Sequence, residues 1–118
     1  MSDAAQPIEQ TVVRPKRRPE SSPRPKRQPP HAVVLHNDEL NSMPFVVSVL
    51  QKVFGYERAK AVDLMLGAHD TGRAIVWSGT KELAELKAEQ VESCGPDPIA
   101  ATRGAGPLRV SVEPLPGE

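Results

Sequence analysis

Seven of the thirteen prolines in this 118-residue chain fall within its first thirty residues. Proline fixes φ and removes a backbone donor, so a segment this rich in it can build neither a helix interior nor a central strand. The same thirty residues carry seven basic side chains (Arg14, Lys16, Arg17, Arg18, Arg24, Lys26, Arg27) against three acidic ones (Asp3, Glu9, Glu20). They hold too little apolar surface to offset the entropy of ordering them. Residues 1–30 are therefore expected to be a disordered extension, and residues 31–118 a folded core domain. The formal net charge of zero hides this division, because the core holds eight basic and twelve acidic residues.

The foldable part is near the size at which one hydrophobic core suffices. Cys94 is the only cysteine, which excludes an intramolecular disulfide and a cysteine-based metal site. No apolar run approaches a membrane span, and no secretory signal is evident at the N-terminus, so the cytoplasm is the expected compartment.

After Pro30 the pattern turns apolar. Ala32-Val33-Val34-Leu35 reads as a strand. The polar segment from Asn37 to Ser42 follows, with Asn41 or Ser42 able to cap a helix whose first turn tolerates Pro44. Phe45, Val46, Val49, Leu50 and Val53 recur at helical spacing until Gly55. A second helix is predicted from about Glu57 to His69, presenting Ala61, Val62, Met65, Leu66 and His69, with a turn at Asp70-Thr71-Gly72. Ala74–Trp77 reads as a strand. Thr80 caps a third helix from Lys81 to about Ser93, with Leu83, Leu86 and Val91 apolar. Residues 95–107 read as a loop rich in Gly, Pro and Ala. Leu108, Val110 and Val112 alternate with polar residues, as in a half-buried strand. The order β-α-α-β-α-β predicts an α+β two-layer sandwich, with three helices on a small three-stranded antiparallel sheet.

Three constellations carry possible chemistry. Asn37, Asp38, Glu39 and His69 offer a carboxylate, an amide oxygen and an imidazole that together can receive an ammonium group. The same residues also read as a turn-forming Asn-Asp and a histidine favoured by a helix C-terminus. Met43 and Met65 suit a pocket that takes several bulky apolar groups, or an ordinary core. The arginine- and lysine-rich extension reads as a solvated linker or as a contact for an acidic partner. It has no aromatic residue for base stacking, so a nucleic-acid partner is not expected. No nucleophile–base pair or metal-ligand spacing is present among Cys94, His31, His36 and His69, so no enzyme, metal or cofactor is expected.

Taken together, VVLHNDELNSMPFVVSVLQKVFGY and AVDLMLGAHDTGRAIVWSGTKELAELK resemble the ClpS family of Clp protease adaptors. The resemblance covers residues 32–92, and the closing strand Leu108 to Glu113 fits it. It implies an adaptor that binds proteins with a large hydrophobic N-terminal residue (Leu, Phe, Tyr or Trp) and delivers them to a Clp AAA+ unfoldase. The α-amine-binding residues of that family fall on Asn37, Asp38 and His69. Its hydrophobic pocket falls on Met43 and Met65, with Val46 nearby, and its unfoldase contacts fall on Glu82 and Lys87. The implied partners are the N-terminal domain of the unfoldase and the substrate proteins, with the adaptor a monomer and no membrane involved. The family's N-terminal extension serves delivery more than capture. Four positions depart from the family pattern: Glu39 replaces a second aspartate, Asn41 a common threonine, Pro44 an acidic residue, and Ala68 a larger valine. The other class of function open to such a chain is a modulator that binds the unfoldase without reading N-termini.

Overall fold

The computed structural model describes residues 28–116, so the disorder expected for the extension falls outside the described residues for positions 1–27. The central strand β1 (His31–His36) is followed by α1 (Met43–Phe54), α2 (Arg58–Thr71), β2 (Arg73–Gly79), α3 (Lys81–Ser93), a short α4 (Pro98–Ala101) and β3 (Val110–Pro114). The sheet order is β2-β1-β3 with both pairings antiparallel, as expected for an α+β fold.

Strand β1 explains its own sequence. Val33 and Leu35 point into the core shared with the helices, while Ala32 and Val34 are just as buried on the opposite face. A strand covered on both faces needs the uninterrupted apolar run that these residues provide. The cover over the second face is polar. Arg73 and Glu113, from the two outer strands, form an ion pair there, and His36 Nε2 meets Ser111 Oγ at 2.8 Å. The hydrogen bonds from Arg73 and Ser111 hold the Glu113 carboxyl below its ordinary pKa.

The β1–β2 register slips between Val33 and Val34, which leaves Val76 as the extra residue of a bulge. Its side chain enters the core, and its carbonyl accepts the Tyr56 hydroxyl proton at 2.6 Å. Burial pushes the Tyr56 phenol up. Tyr56→Phe is expected to lower stability by about 1 kcal/mol, the net contribution of one such bond. Urea denaturation monitored by circular dichroism checks this, and an unchanged midpoint would show the bulge is held by packing alone.

Ser42, not Asn41, caps α1 through Phe45 N–H, and Gly55 closes the helix. Helix α2 runs two residues further than predicted, so Asp70 and Thr71 are helical and Gly72 alone turns the chain, at φ 97°. Within α2 the buried stripe is Ala61, Met65 and Ala68, while Leu66 is exposed. In α3 it is Ala84 and Val91, and Leu83 and Leu86 are nearly half exposed. Small residues let α3 lie close to the sheet, and its leucines flank that contact. Residues 95–107, expected as plain loop, contain α4, started by Asp97 as cap and Pro98 in the first turn. Leu108 is 1% exposed yet precedes β3 rather than belonging to it. Among the described residues no helix is long and apolar enough to cross a membrane.

Candidate functional site

Where β1 ends, the chain must cross to α1 past the C-terminus of α2, and this crossing builds the site. Asn37 N–H donates to Gly72 O at 2.9 Å, tying the crossing to the end of α2. Arg109, just before β3, donates to Asn37 O at 2.8 Å. The backbone of Asn37 is thus held from both sides. Its side-chain amide donates to Glu39 Oε2 at 2.7 Å, and among the described residues its Oδ1 receives no donor. Glu39 therefore occupies the Asn37 amide nitrogen and leaves its oxygen as the acceptor without a partner among the described residues.

Asp38 closes a turn on itself. Its Oδ1 accepts from the backbone amides of Leu40 (2.8 Å) and Asn41 (3.0 Å), and its Oδ2 accepts from Asn41 Nδ2 (2.7 Å). A carboxylate has about four lone-pair sites, so one on Oδ2 stays open to a further donor. Burial pushes the Asp38 pKa up, but the hydrogen bonds from Asn41 and Leu40 and the charge of Arg109 outweigh it and lower it overall. Asp38 is held as a fixed anion.

Helix α2 brings Met65, Ala68 and His69 to the same cavity, because positions three and four apart share a helix face. Helix α1 contributes Met43 at its first residue and Val46 one turn on. The cavity is small, partly open to solvent, and lined by these five residues with Leu35, His36, Asn37, Asp38 and Asn41. All six residues expected for amine binding and for the pocket line it. Val46 and Met65 are buried, Met43 is partly exposed, and His69 is exposed at the rim with no hydrogen bond among the described residues. The arrangement is an apolar hollow with fixed acceptors at its mouth.

Glu82 and Lys87 lie on α3 and do not line this cavity. Glu82 is exposed. The Lys87 ammonium donates to Val53 O at 3.0 Å and lies 5.7 Å from the Phe54 ring centre, so it also satisfies the end of α1. Five residues apart, the two do not share one face of the helix.

Sequence reasoning named Glu39 beside Asn37 and Asp38 but did not foresee the parts played by Leu35, His36, Asn41 or Arg109. Ala68 had a local signal, since it stands three residues after Met65. Arg109 had none, because its partner Asn37 is 72 positions away.

The family model described as "ATP-dependent Clp protease adaptor protein ClpS" matches residues 26–110. The Clp protease adapter protein ClpS of Myxococcus xanthus is 39% identical over 100 residues, which is 83% of this chain and 88% of that protein. The corresponding protein of Roseobacter denitrificans is 42% identical over 93 residues, 79% of this chain and 77% of its own length. Among solved structures, Agrobacterium tumefaciens ClpS2 bound to L-phenylalaninamide is 30% identical with a TM-score of 0.65, covering 75% of this chain and all of that one.

Proposed function

This chain belongs to the ClpS family of ATP-dependent Clp protease adaptors, and from that premise we propose that it captures proteins by a large hydrophobic N-terminal residue. The observation that carries the reading is the cavity that joins fixed acceptors at its mouth to apolar walls behind them. A protein N-terminus combines an ammonium with one side chain, and it needs both features together. The ligand of the Agrobacterium structure is chemically such a terminus. It has a free α-amine, an apolar side chain and a neutral amide where the next residue would begin.

In this reading Asp38 Oδ2, Asn37 Oδ1 and His69 receive the ammonium, while Met43, Val46 and Met65 surround the side chain. Charge-assisted bonds contribute about 1.5–3 kcal/mol each. Burial of a Leu or Phe side chain adds about 1.5–3 kcal/mol. Association costs at least about 4 kcal/mol, which makes micromolar affinity the upper limit of these terms. The chain performs no chemistry on its cargo. It hands the cargo to a Clp unfoldase through a surface that includes Glu82, beside the exposed Leu83 and Leu86. Residues 1–30 serve the handover.

Titration with fluorescent peptides that differ only in residue one tests the proposal. Leu-, Phe-, Tyr- and Trp-initiated peptides are expected to bind about tenfold more tightly than Ile- or Val-initiated ones, a difference of about 1.4 kcal/mol. Met43 at the mouth crowds a branched Cβ, and Met43→Ala relaxes the difference. An N-acetylated Leu peptide is expected not to bind. Equal binding of acetylated and free peptides would overturn the proposal in favour of a modulator that does not read N-termini.

A further inference from the structure

Asn41 is the only buried polar or charged residue among the described residues, at 6% exposure. Its hydrogen bonds join its own loop to a distant part of the chain. Nδ2 donates to Asp38 Oδ2 at 2.7 Å and to Gly106 O at 3.0 Å, and Oδ1 accepts from Asp97 N–H at 2.8 Å. The neighbouring Ser42 hydroxyl donates to Asp97 Oδ2 at 2.7 Å. The other carboxylate oxygen of Asp97 accepts from Ile99 N–H at 3.0 Å and so starts α4. One carboxylate thus fastens α4 to the residue that caps α1, and one buried amide fastens the same segment to Asp38.

We infer that Asn41 is a positioning residue for N-terminus capture, and that residues 95–107 belong to the recognition site because Asn41 links them to Asp38. The inference rests on the capture reading given above. The Asn41 amide also satisfies Asp97 N–H and Gly106 O, so it anchors residues 95–107 as well as Asp38. The cap of α1 is supplied by Ser42, and the turn of Asp38 is already closed by two backbone amides. What the Asn41 side chain adds is the direction of Asp38 Oδ2, the oxygen with a free lone pair at the mouth. A segment that holds Asn41 from behind thereby fixes an acceptor it does not touch. Coupling of this kind is reciprocal, so ligand at the mouth must also steady the segment.

The test uses L-leucinamide and the full-length ¹⁵N-labelled protein. Chemical shifts give the affinity, and amide hydrogen exchange reports each donor. In the wild type, leucinamide is expected to slow exchange at Leu40 and Asn41 and also at Asp97, whose N–H is bonded to Asn41 Oδ1. Asp97→Ala keeps that N–H but releases α4 and Ser42. It is expected to weaken leucinamide about fivefold, the lower end of typical couplings between sites. Asn41→Ala is expected to weaken it at least as much, and the double variant no further. Should Asn41→Ala fail to fold, the Asp97→Ala arm decides alone, since it alters a surface carboxylate. Wild-type affinity in Asp97→Ala overturns the inference. So does ligand protection at Leu40 and Asn41 with none at Asp97. A wild-type protein that leucinamide leaves unshifted would instead remove the capture reading, and this inference with it.

Discussion

Asp38→Ala is expected to weaken a Leu-initiated peptide about 100-fold, the loss of one charge-assisted bond near the upper end of the usual 1.5–3 kcal/mol. Among the described residues no other carboxylate lines the cavity. Glu39, the nearest in sequence, is engaged with the Asn37 amide. The variant also strands the backbone amides of Leu40 and Asn41 and one bond of Asn41 Nδ2, so its fold is checked by thermal denaturation beside the titration. A folded variant with wild-type affinity would remove Asp38 from the site.

Asp38 also sets one limb of the pH profile. Its native pKa is lowered by bonds from Asn41 and Leu40 and by Arg109, in excess of the upward effect of burial. A depressed carboxyl stabilises the fold above its unfolded pKa of about 3.9, and that contribution disappears as pH falls through the lower native value. Capture and stability are therefore expected to keep the Asp38 contribution down to about pH 4. On the alkaline side the ligand's own α-amine discharges, from about pH 7.7–8.0 when free and higher beside a carboxylate.

How much of this was legible in the sequence follows from where each signal resides. The strands and three long helices were readable because a buried stripe repeats at a fixed spacing within one element. Which flank of a stripe faces out was not. Leu83 and Leu86 are apolar enough for a core, but Ala84 and Val91 occupy it, because a small side chain lets α3 approach the sheet. Helix α4 was hidden in a stretch that reads as loop, although Asp97-Pro98 is a helix-start signal on its own terms. For the site, residue types pointed to Asn37, Asp38 and His69 only weakly, and the family resemblance separated them from turn and cap residues. The residues that hold Asp38 and Asn37 in place were out of reach. Arg109, Asp97 and Gly106 act across 56 to 72 positions through single hydrogen bonds, and no local pattern encodes such a contact.

The apolar half of the site is open to an equally decisive experiment. Ala68 is 3% exposed and lines the cavity between Met65 and His69. Replacing its methyl by the isobutyl group of leucine puts new bulk where the first side chain of a captured protein is proposed to lie. Ala68→Leu is expected to weaken Phe- and Trp-initiated peptides about 50-fold, since burial of a large apolar side chain contributes about 1.5–3 kcal/mol. The change is expected to cost the fold roughly 1–3 kcal/mol, because Ala68 belongs to the core as well as to the cavity wall. An Ala-initiated peptide, which needs only the mouth, is expected to keep its weak wild-type affinity in this variant. That contrast separates a filled pocket from a damaged protein. If Phe-initiated peptides bind Ala68→Leu as tightly as the wild type, the hollow between α1 and α2 does not receive the first residue, and Met43, Val46 and Met65 lose the role proposed for them.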